Sequence, residues 1–217
     1  MKSEAQSLPG EQAPLRDLAA PASWRALALV SDLHLGAQAP RTTAGFLRWL
    51  RGEATRADAL LLLGDVFETW VGDDLLLQQP ADEHHAVCDA LCIDDLAYMR
   101  WRETCRDPAW QARMLAQPLA LRRQQAAAAR EQSRQAQAAR QPSDADPAEA
   151  RRWMLRERAN WMIHGHTHRP REHWQDAQLR QVLSDWDLDD AAAPRAQVLW
   201  LRPARAWVRV DRETAAT

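Results

Sequence analysis

The sequence predicts an α/β protein whose functional residues gather at one edge of a parallel sheet. Three observations predict it. Short apolar runs at Leu27–Val30, Ala59–Leu63 and Trp161–Ile163 have the length and composition of buried strands. Each run ends in metal-ligand types: Asp32 and His34, then Asp65, then His164, His166 and His168. A stretch of helical spacing separates the first two runs, which makes a strand–helix–strand unit with a right-handed crossover. Open α/β sheets place their sites outside the C-terminal strand ends.

The elements follow in order. Residues 1–22 carry Glu4, Glu11 and Asp17 with Pro9 and Pro14, and lack the apolar core of a signal sequence. They are expected to be a disordered tail, with residues 23–217 as one domain. Residues 24–31 read as the first strand. Residues i and i+2 of an extended segment point the same way, so Asp32 and His34 leave its end together. A carboxylate and an imidazole so placed suit a first-row divalent metal, although a plain polar strand end has the same pattern. Arg41 to Arg56 reads as a helix with Phe46, Leu47, Trp49 and Leu50 inward. Residues 58–64 are the second strand, ending in Asp65, which is either a ligand or a helix cap. Glu68, Asp73 and Asp74 follow in a loop that either lines the site or is simply solvated.

From Asp94 to Arg140 the chain is helical in character, rich in alanine and glutamine and free of glycine, with breaks at Pro108 and Pro118. Arg122, Arg123, Arg130, Arg134 and Arg140 give it a basic face. That face is either solvated or suited to an anionic lipid surface. Asp146 with Pro147 signals a helix start. The helix runs to about Ala159, with Trp153, Leu155 and Met154 inward. The strand Trp161–Ile163 then delivers His164-Gly165-His166, where glycine allows a tight turn. Trp186, Val198–Leu201 and Trp207–Val210 read as sheet-packing residues of a terminal hairpin.

Composition removes several classes. The 217 residues are 46% hydrophobic and 27% charged, as in soluble single domains. A net charge of -2 supplies no general field for nucleic acid. Three cysteines are too few for a disulfide scaffold; Cys88 and Cys92, one helical turn apart without a second pair, read as buried thiols. The sequence has no apolar run of 18 residues, so it contains no transmembrane helix.

The order D-x-H, G-D, G-H-x-H resembles the calcineurin-like metallophosphoesterases. The strings Ser31–Leu35, Gly64–Asp74 and Trp161–Pro170 narrow the likeness to the branch that hydrolyses UDP-2,3-diacylglucosamine in lipid A biosynthesis. The resemblance implies an αββα sandwich with an inserted helical cap, here about residues 94–140. It implies two Mn2+ ions, the first held by Asp32, His34, Asp65 and His166, the second by Asp65 and His164. Asp65 and His164 would be catalytic. Asp95, Ser133, Gln137, Arg140 and His164 would contact substrate, with Gln137 and Arg140 standing where the family has asparagine and lysine. His168 stands outside that set. The resemblance also implies a cytoplasmic protein, peripheral to the inner membrane of a Gram-negative bacterium, with no nucleic-acid partner.

The chain departs from the family between Asp74 and Ala90. It has no G-N-x-D, and Val87-Cys88-Asp89 stands where H-G-D is expected. Two ligands of the second metal are therefore missing, unless His84 or His85 replaces one; His85 has the matching side-chain parity. The fold is expected to be truncated by at least one strand and its helix. Two alternatives follow: a catalytically impaired relative that keeps one metal site, and a basic helical interaction module with a vestigial site.

Overall fold

A computed structural model describes residues 19–69, 100, 101, 103–105, 107–138, 144–203 and 208–214. The chain forms β1 (Leu27–Val30), α1 (Pro40–Arg51), a 3-10 turn (Glu53–Arg56), β2 (Ala59–Leu62), α2 (Pro108–Leu115), α3 (Leu119–Ala138), α4 (Pro147–Arg156), β3 (Trp161–His164), β4 (Arg171–Gln175), β5 (Gln178–Val182), β6 (Gln197–Pro203) and β7 (Val208–Thr214). The strands make two mixed sheets, ordered β2-β1-β6-β7 and β3-β5-β4. As the strand–helix–strand pattern requires, β1 and β2 are parallel, with Leu27 opposite Ala59 and Val30 opposite Leu62.

Period-two alternation sorts each strand between two cores. Ala28, Val30, Leu60, Leu62, Val198 and Trp200 face α1 and pack with Phe46 and Trp49. Leu27, Leu29, Leu61, Leu63, Leu199 and Leu201 face the other way and meet Ile163 and Leu183 of the second sheet. On that sheet's outer side Met162 packs under Ala150 and Trp153 of α4. The layers are helix, sheet, sheet, helix, an αββα sandwich. Phe46, Trp49 and Trp186 make a mutual aromatic cluster with ring centroids 5.6 to 5.8 Å apart.

Several local expectations are adjusted. The helix predicted over 41–56 ends at Arg51, where Gly52 closes the last turn by donating its N–H to Arg48 O at 3.0 Å. Leu47 and Leu50 are each 37% exposed, so Phe46 and Trp49 carry the buried face. On α4, Met154 is buried and Leu155 is exposed. The start of α4 follows the prediction: Asp146 accepts from Glu149 N at 2.7 Å, with Pro147 in the first turn. The antiparallel pair β4–β5 was not expected, because polar side chains interrupt its alternation. The predicted hairpin is β6–β7, joined to the sheet through β6 and β1.

The N-terminus of α1 is capped from far along the chain. Its own Ala39 offers no side-chain acceptor. Instead Asp189 accepts from Arg41 N and Thr42 N at 3.1 and 2.9 Å, and from Thr42 Oγ1 at 2.8 Å. Thr42 Oγ1 in turn accepts from Leu188 N at 2.9 Å. This network fixes Leu188 and Asp189 at the start of α1.

Candidate metal centre

The loops after β1 and β2 run on side by side beyond the strands. Asp32 N donates to Gly64 O at 3.2 Å, His34 N to Asp65 O at 2.9 Å, and Leu35 N to Val66 O at 2.9 Å. The loop after β3 joins them from the second sheet. Its His166 N donates to Asp32 Oδ1 at 2.7 Å. Gly165 makes this meeting possible, since a Cβ there would collide with Asp32 Oδ2 and Ser31 Oγ.

Backbone strain is concentrated at this junction. Seven described non-glycine residues have positive φ, and five of them are Asp32 (54°), His34 (46°), Asp65 (48°), His166 (71°) and His168 (51°). Left-handed backbone is unfavourable for such residues and persists where surrounding structure holds it, commonly at functional sites. The left-handed turns aim carboxylates and imidazoles from three loops toward one another.

Asp32, His34 and His168 form the tightest group. One donor atom from each lies within 4.8 Å of the others. The two Nε2 atoms of the histidines are 3.2 Å apart, and His168 Nε2 is 3.4 Å from Asp32 Oδ1. Asp65 and His166 stand at the rim, 3.9 Å from each other. Burial pushes His34 below its ordinary pKa despite the nearby carboxylates. Burial also opposes charge on His168, but the Asp32 hydrogen bond and the Asp32, Asp185 and Asp65 carboxylates hold it above its ordinary value.

His34 Nδ1 lies 3.2 Å from Glu68 Oε2 and 3.3 Å from Arg130 Nη2. Glu68 is held by Arg130, which donates from Nε to Oε1 at 3.1 Å and from Nη2 to Oε2 at 2.7 Å. His168 has the same backing at greater range: its Nδ1 is 3.7 Å from Asp185 Oδ2, and Arg195 donates to both Asp185 oxygens at 3.0 Å. Carboxylates behind imidazoles fix tautomer and ring orientation in metal sites. Sequence reading gave Asp185, Arg195 and the Glu68–Arg130 pair no such role. Their one signal, charged residues in loops and on a basic helix, is common to ordinary surfaces.

His164 lies apart from this group. It is 2% exposed, and its Nδ1–H donates to Gly165 O at 2.9 Å while Nε2 accepts from Arg180 Nη1 at 3.3 Å. Both ring nitrogens are engaged, which leaves no lone pair for a cation in this arrangement. Burial pushes its pKa down to about 4, so the ring is neutral at pH 7. Of the other expected contacts, Ser133 is half-buried on α3, Gln137 lies on the same helix, and Asp95 and Arg140 fall outside the described residues. So do Asp73, Asp74, His84, His85, Asp89, Cys88 and Cys92, and residues 1–18 of the expected tail.

The donor set suits a divalent cation. Asp32 is 1% exposed, and its Oδ2 and the neighbouring Ser31 Oγ are buried without hydrogen-bond partners. A buried carboxylate is costly without a compensating charge. One carboxylate with two imidazoles matches Mn2+, Zn2+ or Fe2+ chemistry.

No family model matches the chain. Curated relatives do. A protein of Serratia proteamaculans named UDP-2,3-diacylglucosamine hydrolase is 35% identical, the match covering 66% of this chain and 82% of that protein. One of the same name from Chromohalobacter salexigens is 35% identical over 84% of this chain and 92% of that protein. The first alignment spans 197 positions, more than the matched 66% of a 217-residue chain can fill. The relatives thus carry residues that this chain lacks, as the missing G-N-x-D and H-G-D motifs indicate. Among solved structures, a phosphoesterase-like protein of unknown function from Streptococcus pneumoniae is 12% identical with a TM-score of 0.41, covering 90% of this chain and 92% of that one.

Proposed function

We infer the chemistry of this centre from one premise: the chain belongs to the UDP-2,3-diacylglucosamine hydrolases. The reading is metal-dependent hydrolysis of the pyrophosphate bond of UDP-2,3-diacylglucosamine, giving UMP and 2,3-diacylglucosamine 1-phosphate. The observation that supports it is the convergence of Asp32, His34 and His168 on one point from two sheets.

Asp32, His34 and His168 would hold the cation, Mn2+ in this reading, with Asp65 and His166 beside them. When bound, such a cation polarises a phosphoryl oxygen and makes water acidic enough to attack at neutral pH. The chain's own residues supply the positioning. Asp32 Oδ1 ties the third loop to the first through His166 N. Glu68 and Asp185 orient the two imidazoles from behind. Burial, with Arg180 beside it, keeps His164 neutral, and the Gly165 carbonyl and Arg180 fix its ring at the floor. Among the described residues no helix is long and apolar enough to cross a membrane. Attachment to the inner-membrane surface would instead use the basic helical segment and anionic lipid.

A second reading, a relative that binds one cation without turnover, is favoured by two observations. The G-N-x-D block is absent, and His164 is engaged by Arg180. An assay of UMP release from UDP-2,3-diacylglucosamine with excess Mn2+, run beside Asp65→Ala, decides between them. Release that depends on Asp65 supports the hydrolase; folded protein that binds Mn2+ and releases no UMP establishes the second reading.

A further inference from the structure

We propose that Glu68 and Arg130 form a latch through which docking of helix α3 presets the His34 imidazole for its cation. The proposal rests on the metal-centre reading above and adds a positioning role for two residues outside the ligand set.

The geometry is specific. Glu68 uses both carboxylate oxygens on one guanidinium, at 3.1 and 2.7 Å, the bidentate form that fixes the plane of both groups. The oxygen nearer Arg130, Oε2, is also the one facing His34 Nδ1 at 3.2 Å. Arg130 Nη2 itself stands 3.3 Å from His34 Nδ1, so the carboxylate and the guanidinium together join α3 to a cluster histidine 96 residues away in sequence. Glu68 itself is pinned to the first loop, since its N–H donates to Leu35 O at 3.1 Å. Most described side chains of α3 are exposed, so apolar burial contributes little to its docking and the ion pair matters more.

Two consequences follow. With α3 docked, Glu68 and Arg130 both bear on His34 Nδ1, the ring is held in place, and its Nε2 faces His168. With α3 undocked, Glu68 loses Arg130 and the imidazole loses its fixed backing. Outer-shell partners of this kind alter metal affinity by about 10–100-fold. Lysine would not replace Arg130, because an ammonium cannot bind both oxygens in one plane.

The test uses the full chain and Mn2+ alone. Mn2+ affinity is measured by calorimetry for wild type, Glu68→Gln, Arg130→Gln, Arg130→Lys and the double variant Glu68→Gln/Arg130→Gln. Amide exchange of residues 119–138 is followed in the metal-free proteins. Glu68→Gln is expected to weaken Mn2+ binding about 10–100-fold. Arg130→Gln and Arg130→Lys should weaken it less, and the double variant should be no worse than Glu68→Gln. All four should speed exchange in 119–138. Independent, multiplying effects on affinity would overturn the coupling, as would Glu68→Gln binding Mn2+ like wild type. Unchanged exchange in 119–138 would overturn the latch. Wild type that binds no Mn2+ would remove the metal-centre reading itself, and with it the coupling, while the exchange data alone judge the latch.

Discussion

His34 and His168 face each other through Nε2 atoms 3.2 Å apart, although 134 residues separate them in the chain. Each has a carboxylate behind its Nδ1, and an arginine grips each carboxylate with two nitrogens. Without a cation, the two inward nitrogens must share a proton beside Asp32. A cation removes that requirement.

Mn2+ should therefore stabilise the fold. At a concentration 100 times its Kd the linkage is about 2.7 kcal/mol. For a chain of this size that raises Tm by about 5–10 °C. His168→Gln should abolish most of the rise, whereas His164→Gln, at a ring already engaged by Arg180, should retain it. Differential scanning fluorimetry reads both; an undiminished rise in His168→Gln would place the cation elsewhere.

Gly165→Ala should damage stability and the site together. The added methyl meets Asp32 Oδ2 and Ser31 Oγ, both of them buried. Overpacking of this kind costs about 1–3 kcal/mol. Urea unfolding should show that loss, and the Mn2+ effect on Tm should shrink with it. A variant as stable as wild type would mean that the β1 and β3 loops do not meet at Gly165.

Thr42→Val tests the remote cap on α1. The hydroxyl donates to Asp189 and accepts from Leu188 N, and Thr42 is 1% exposed. Valine keeps the shape and leaves the Leu188 N–H buried without its acceptor, at a cost of about 1–3 kcal/mol. The expected result is a fall in Tm with Mn2+ affinity retained, since the contact lies away from the cluster.

Asp58 gives a pH signature. Its carboxylate accepts from Arg25 N and Ala26 N at 2.6 and 2.9 Å, and these bonds hold its pKa below the ordinary value. A carboxyl with a lowered folded pKa contributes stability above its unfolded pKa and loses it as pH falls through the folded one. Thermal melts of Asp58→Asn should lie below wild type at pH 7, with the gap closing as the pH drops below the ordinary aspartate range. A constant gap at all pH values would refute the assignment.

The sequence by itself determined the strands that carry the site and the residues at their ends. Apolar runs such as Leu27–Val30 and Ala59–Leu62 must be buried, and a polar Asp32, His34 or Asp65 can follow only where the strand emerges. It also determined the parallel β1–β2 pair and the Asp146–Pro147 start of α4, because these depend on local pattern and chain reach. The family was legible for the same reason: its motifs are short, contiguous strings.

Tertiary structure alone decided which donors meet. His164, His166 and His168 lie within five consecutive residues, yet left-handed turns at 166 and 168 and the Arg180 contact at 164 send their rings to different places. It also decided that Glu68, Arg130, Asp185 and Arg195 stand behind the imidazoles, and that Asp189 caps a helix more than a hundred residues earlier. Those contacts join segments distant in sequence. Their energies depend on distance, burial and direction in the folded chain, and no local spacing rule encodes them.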